Sequence, residues 1–465
     1  MPSRHVPFTL SALALLAASR LAAQDTRAVV EPTFPQSCTT LAAALVPVGD
    51  STLAESDEGR LDTDRIQRAI DGCGAGKAVV LRADGERRAF VSGPLKLRAG
   101  VTLRVDTGAT LYASRDPRVF DVTPGACGVL APSGRGCRPL VSVERAPHAA
   151  VMGPGAIDGR GWANLLGKGV SWWDLAQQAR NTKLNQNCPR LIVASRSDDF
   201  TLYRLTLRHS PNFHVTYDHG DGFTAWGVVI RTPQTNARNT DGIDPGPARN
   251  VTITHTTILA GDDNIAIKAG SSGGVSNVTV SHNHFFRGHG MSIGSETNGG
   301  VDRVLVTDLS VDGADNGLRI KSNASRGGLV KNVTYDDVCI RRTKEPVLMD
   351  THYSASPETT GTLIPQFTNI TLHNVRVMDG GRITLDGYDA AHPLGITFDN
   401  VRIDDPARTT VTARYARVSS IGSSAIAAPN PTAGVGVADG VPSPVAAFQA
   451  APNGCAGKFV PPPAR

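Results

Sequence analysis

The chain reads as an all-β solenoid of stacked strands, and three observations predict it. Short runs rich in Val, Ile, Thr and Phe begin at Phe200, Phe223, Asn250, Asn277, Val301, Asn332, Asn369 and Gly395, each bounded by Gly, Asn or Asp as strands are. These starts lie 23 to 37 residues apart with no long helical pattern between them, the period of a repeat stack. The composition suits a turn-rich β protein: 48 Gly and 30 Pro in 465 residues, with only 19% charged. Length alone would suggest two or three domains, but a stack grows without a central core, so a single repeat domain over residues 24–418 is expected.

Along the chain, each element has its own reason. Residues 1–23 combine a basic start at Arg4 and His5, an apolar run from Phe8 to Ala18 and a small-residue end at Ala22 and Ala23. That is the pattern of a secretory signal, its apolar core too short to span a bilayer. Seven cysteines in an exported chain imply disulfides and at least one thiol left over. Cys127 and Cys137 flank a short Gly-rich loop and are expected to pair, and Cys38 with Cys73 would tie the N-terminal segment to a helix. Partners for Cys188, Cys339 and Cys455 stay open. No Cys/His spacing resembles a metal site, so neither metal nor cofactor is expected.

Between Asp62 and Cys73, Ile66, Ala69, Ile70 and Cys73 fall on one face at helical spacing, with Thr63 as N-cap and Gly74 as stop. A solenoid has an open hydrophobic end that needs a cover, and this short N-terminal helix is the expected cap. Residues 80 to 160 continue as short strands separated by Gly. The stretch Trp162 to Gln186 breaks the period and reads as a loop bordering a cleft, its Trp172 and Trp173 read as packing with no binding role assigned. Asn250, Asn277, Asn332 and Asn369 recur at strand entries in N-V-T or N-I-T. They fit either glycosylation sequons or, more simply, a stack of turn residues bonded from turn to turn. Residues 419–465 turn to Ala, Pro, Gly, Ser and Val, too poor in large apolar side chains for a core of their own, and read as an irregular tail over the last turns.

Four islands carry the chemistry: NTDGIDP at Asn239–Pro245, GDDNIAIK at Gly261–Lys268, GHGMSIGSE at Gly288–Glu296 and GLRIKS at Gly317–Ser322. Asp241, Asp262, His289 and Arg319 are about one period apart, at 21, 27 and 30 residues. In stacked parallel strands, equivalent positions sit roughly 4.8 Å apart, so these four are expected to form a ladder on one face. Asp262 and Asp263 would point to opposite sides of a straight strand, so both reach the cleft only if the backbone bends at Gly261. Crowded carboxylates raise at least one pKa, and a protonated carboxyl beside an ionised one is what glycoside hydrolysis needs.

Together the islands resemble the polygalacturonase family of pectin-degrading glycoside hydrolases, whose motifs NTD, DD, GHG and RIK stand here intact and in order. The similarity extends to SGPLKLRAGVTLRVDTGATL at Ser92, GPGAIDGRGW at Gly153, SWWDLAQQAR at Ser171 and SPNFHV at Ser210, the last two closest in look to secreted bacterial endo-acting members. The resemblance implies a right-handed parallel β-helix that cleaves α-1,4-galacturonosidic bonds of de-esterified pectin internally, with inversion. It implies Asp262 as general acid, Asp241 and Asp263 positioning and deprotonating water, and His289 hydrogen-bonded to Asp262. It also implies Arg319 and Lys321 binding a substrate carboxylate, with Asn239, Lys268 and Tyr353 near the sugar. The expected partner is an anionic polysaccharide, which a net charge of +5 weakly favours. A secreted monomer is expected, with no nucleic acid or membrane partner. Exo action, a calcium-dependent pectate lyase and a non-catalytic β-helix remain the alternatives.

Overall fold

The computed structural model describes residues 24–49, 51–234, 236–354, 359–421 and 454–463. The expected signal segment and residues 422–453 of the tail lie outside the described residues.

The repeats become turns of a right-handed parallel β-helix. One wall is an eleven-stranded sheet whose strands follow one another in sequence order, from Leu95–Lys96 to Thr409–Arg414. Its middle strands are Ile192–Ser195, Val215–Asp218, Ile243–Pro245, Ile265–Ile267, Met291–Ile293, Asn316–Lys321 and Glu345–Asp350. Each pairs in parallel with the strand one turn away. A twenty-stranded sheet forms the remaining walls. Inward positions are Val, Ile, Leu and Phe, stacked like on like: Val278, Val304, Val333 and Ile370 share one register and are no more than 1% exposed. Every turn therefore buries its apolar edge against the next, which is how this stack replaces a globular core.

Corners need left-handed backbone, and polar residues supply it. Asn250, Asn277, Asn332 and Asn369 have φ of 57°, 59°, 56° and 51°, a region Asn tolerates better than most residues. Asn277 Nδ2 donates to Asn250 Oδ1 at 3.1 Å and Asn369 Nδ2 to Asn332 Oδ1 at 2.6 Å, so these asparagines form the turn-to-turn stack expected of them. Arg303 fills the level between, its Nε donating to Asn277 Oδ1 at 2.7 Å. A second corner falls at His255, His282, Asp308 and Asp337, with φ of 54°, 56°, 50° and 55°. There the long strand Val275–Phe286 bends and pairs with two shorter strands of the preceding turn, Ala248–Thr254 and Thr257–Leu259.

Helix α1 (Thr63–Asp71) caps the stack, burying Ile66 and Ile70 completely in the main core. Its N-cap is Asp62 rather than Thr63. Asp62 is held at Val91 by two hydrogen bonds, and the Thr63 hydroxyl accepts from the Gly93 N–H at 2.8 Å. The expected loop over Trp162–Gln186 contains a second helix, α2 (Trp172–Thr182). Ser171 and Asp174 form a capping box at its start, the local signal that starts a helix outside the strand period. Trp172 and Trp173 are fully buried, and Trp173 Nε1 donates to the Ser210 carbonyl at 3.0 Å, so the pair anchors α2 and offers no face to a sugar.

Both expected disulfides are present, and a third joins Cys339 to Cys455. Cys188 is the thiol left over; burial pushes its pKa up to about 12, which keeps it a protonated, unreactive thiol. The third bridge moves the tail from where composition placed it. Residues 454–463 are irregular but pack on the middle turns, with Lys458 paired to Asp308 and Asp337 and Phe459 under Arg341. The last strand, Ala416–Ile421, crosses the boundary expected at residue 419. Among the described residues no helix is long and apolar enough to cross a membrane.

Candidate active site

All nine residues picked out by the motifs line one cleft of about 1070 Å³ on the eleven-stranded sheet: Asn239, Asp241, Asp262, Asp263, Lys268, His289, Arg319, Lys321 and Tyr353. The ladder differs from the spacing argument by one residue at Asp262 and by three at Arg319. Ile243 pairs with Ile265, and Ile265 with Met291. Counting back two residues puts Asp241, Asp263 and His289 at one level, with Asp262 one residue upstream. Arg319 pairs with Ser292, three residues beyond that level. The chain bends at Gly261 and Asp262 before the strand starts at Ile265, which lets both carboxylates reach the cleft.

Close backbone approach makes the glycines of GHG necessary. Gly288 and Gly290 have φ of +69° and +72°, and a Cβ on either would lie 2.3 Å from a carbonyl oxygen of the neighbouring turn or bend. His289 is thereby held by its own N–H, which donates to the Asp262 carbonyl at 3.0 Å. Its ring does not bond the Asp262 carboxylate as expected: Nε2 lies 3.9 Å from Asp262 Oδ1, beyond hydrogen-bond reach, and Nδ1 lies 3.5 Å from Asp315 Oδ2. Placed between two carboxylates, the imidazole contacts neither closely.

Asp263 is 2% exposed and gripped on both oxygens. Oδ1 accepts from Ser292 Oγ at 2.7 Å and Arg319 Nη1 at 3.1 Å, and Oδ2 accepts from Lys321 Nζ at 2.8 Å. Burial works against its charge, but Lys321 and Arg319 outweigh it and hold the pKa far below the carboxylate range. Arg319 and Lys321 are thus aimed at Asp263 and not at open cleft, with the Tyr353 ring against both at 5.4 and 5.3 Å.

Asp241 is 3% exposed and sits in the opposite field. Its Oδ2 accepts from Lys268 Nζ at 2.7 Å, but the same ammonium also serves Asp244 Oδ2 at 2.8 Å. Burial, with Asp244, Asp262 and Asp263 as like charges against one Lys268, pushes the Asp241 pKa well up. Burial likewise pushes Asp244 up to about 6. Lys268 also lies 3.9 Å over the Phe213 ring. Asp241 Oδ1 has no hydrogen-bond partner among the described residues.

Sequence reasoning missed three supporting residues. Asp244 is outward-facing on a strand between two apolar positions, a detectable but weak signal. Ser292 alternates likewise between Met291 and Ile293. His214, from SPNFHV, is completely buried, and its Nδ1–H donates to the Asp241 carbonyl at 2.8 Å while Nε2 accepts from the Thr232 hydroxyl at 2.8 Å. Burial lowers its pKa to about 4, so it works as a neutral prop for the turn that carries Asp241.

The nearest carboxylate oxygens of Asp241, Asp262 and Asp263 lie within 4.8 Å of one another. Lys268, Arg319 and Lys321 already supply these carboxylates with cationic partners. A partly exposed carboxyl, a clamped carboxylate and a buried one with a raised pKa, in a groove rimmed by cations, suit acid–base cleavage of an anionic chain.

Residues 89–423 match the model of glycosyl hydrolases family 28. The chain is 44% identical over 401 residues to an endo-polygalacturonase of Pectobacterium carotovorum subsp. carotovorum, covering 86% of this chain and 94% of that one. It is 40% identical over 460 residues to a polygalacturonase of Ralstonia solanacearum, covering 87% and 86%. A solved polygalacturonase from Erwinia carotovora ssp. carotovora overlays with a TM-score of 0.78 at 42% identity, over 85% of this chain and 99% of that one. With motif order, cleft geometry and family match all falling on the same turns of the stack, the chain belongs to glycosyl hydrolases family 28.

Proposed function

We propose that this chain is an endopolygalacturonase, hydrolysing α-1,4-galacturonosidic bonds inside de-esterified pectin. The observation that carries the reading is the carboxylate trio, its oxygens within 4.8 Å of one another, in a cleft lined by cations. The relatives named as polygalacturonases support the substrate.

In this mechanism Asp262, the most solvent-facing of the three at 22% side-chain exposure, gives its proton to the glycosidic oxygen. Asp263 and Asp241 hold the attacking water. Three close carboxylates would by distance alone suggest a covalent intermediate, since retaining pairs sit roughly 5–5.5 Å apart. The hydrogen bonds favour water attack and inversion instead: donors from Ser292, Arg319 and Lys321 take three of the roughly four lone-pair sites of Asp263, which blunts it as a nucleophile and leaves room to hold a water. Asp241 Oδ1, lacking a protein partner, is the better acceptor for a water proton. A second reading follows from the raised pKa of Asp241, which would make Asp241 the proton donor and Asp262 the base.

The test begins with products. Reducing ends without a 4,5-unsaturated sugar, with viscosity falling steeply while few bonds are cut, support internal hydrolysis. Unsaturated ends that disappear with chelator and return with calcium point to a lyase, and one small product at nearly constant viscosity points to exo action. Proton NMR of the first-formed anomer decides inversion against retention.

Export and a monomeric state belong to the same proposal. Three disulfides support an oxidising compartment. Culture medium lacking the protein while cells retain it, or a dimer mass on size exclusion with light scattering, would refute the respective half.

A further inference from the structure

The cations of the cleft divide into two groups. On the side of the later turns every one is paired: Lys268 with Asp241 and Asp244, Arg319 and Lys321 with Asp263, and Arg326 with Glu296 at 2.7 Å. On the side of the earlier turns, among the described residues, Arg180, Lys183 and Arg238 line the same cleft with no ion pair. Arg190 joins them with no ion pair among the described residues, its guanidinium 4.8 Å over the Phe213 ring and within the field of Asp244. The acids lining the cleft are Asp241, Asp262, Asp263 and Glu296, and none lies in the segment 180–190 that carries Arg180, Lys183 and Arg190.

Arg180 and Lys183 are there because α2 puts them there. The capping box and the buried Trp pair fix the helix rigidly, its last turn and the residues after it form one rim, and both side chains are exposed. The turn that follows, starting at Ile192, is three strand steps from the turn of Asp263, roughly 14 Å at about 4.8 Å per step. Unpaired like charges held side by side are unfavourable unless an anion visits them, and a polymer with one carboxylate per sugar brings anions at regular intervals along such a groove.

Building on the polygalacturonate reading, the geometry points to carboxylate-binding subsites at Arg180 and Lys183, away from the cleaved bond, and at Arg238, which stands nearer, three residues before Asp241. Arg180 and Lys183 read the charge of sugars several positions away, and the three together set the preference for unesterified runs. Arg319 and Lys321, engaged by Asp263, act at the bond itself.

The test is the double variant Arg180→Gln/Lys183→Gln, with Arg238→Gln as an independent second. At low ionic strength each should raise KM for polygalacturonate, the double variant by about tenfold, with kcat within about twofold of wild type. The gap should close as salt is raised, because the contacts are exposed and screened. Hexagalacturonate should be cut at shifted positions, and Arg180→Lys should restore most of the loss. KM within about twofold of wild type at low salt, with an unchanged cutting pattern, overturns the inference. Retention on immobilised polygalacturonate reads the same residues without turnover. If retention depends on Arg180 and Lys183 but no sugars are released, the hydrolase reading falls and these subsites stand; if the variants are retained like wild type, the subsites fall.

Discussion

Asp263 and Asp241 occupy the same level on adjacent turns, both almost completely buried, yet their carboxyls are driven in opposite directions. Asp263 has two cations and a hydroxyl to itself. Asp241 shares one ammonium with Asp244. Burial costs both charges alike, so the ratio of cations to carboxylates decides which stays ionised. One turn of spacing thus gives two groups of the same residue type pKa values shifted in opposite directions.

The largest way to break this comparison is to remove a carboxylate outright. Asp262→Asn or Asp263→Asn should lower kcat by roughly 10²–10⁴-fold while the protein still melts cooperatively. Activity within several-fold of wild type in Asp262→Asn would remove it from the proton-donor role and leave Asp241 in that place.

Lys268→Met takes away the cation of the weaker half. Two buried carboxylates without a partner should cost about 3 kcal/mol of stability, read by denaturant unfolding, and the limb of the kcat/KM profile that reports Asp241 should move to higher pH. A profile that does not move would mean that Lys268 does not tune Asp241.

Asp244→Asn sharpens the pH argument. The folded pKa of Asp244 is about 6 against an ordinary 3.8, so the folded state binds this proton more tightly than the unfolded chain. Its stabilising contribution is full below pH 3.8 and is lost as pH rises through about 6. The asparagine variant lacks that loss, so its Tm relative to wild type should improve from pH 4 to pH 7. A constant difference would show that Asp244 is ionised throughout. The smallest effect belongs to Ser292→Ala, which removes one of three donors to Asp263 and should cost about 1 kcal/mol, near fivefold in rate.

The strand runs and the period of 23 to 37 residues sufficed for the solenoid because each strand carries its own alternation of buried and exposed residues. Four of the nine site residues, Asp241, Asp262, His289 and Arg319, needed only the one-turn period to be placed in one cleft, while Asn239, Lys268 and Tyr353 came from the family resemblance. The register was not legible to a single residue, since turns differ in length, and so Asp241 stands level with Asp263 and not with Asp262. Helix α2 was missed because its apolar face is short and interrupts the strand period, although the Ser171 and Asp174 capping signal was present.

What the amino-acid sequence determined by itself is therefore the stack and the corner asparagines, which follow from local pattern repeated at a fixed interval, and two of the disulfides and the membership of the cleft, which follow from local context and motif. What only the tertiary structure decided is who holds whom: Lys268 between Asp241 and Asp244, Arg319 and Lys321 on Asp263, Cys455 on Cys339, and Arg180 and Lys183 on the rim with no ion pair among the described residues. The physical reason is that charge pairing and burial depend on distances across turns and on competition among several partners. Spacing along the chain can bring such groups to one place, but it does not set which carboxylate receives which cation.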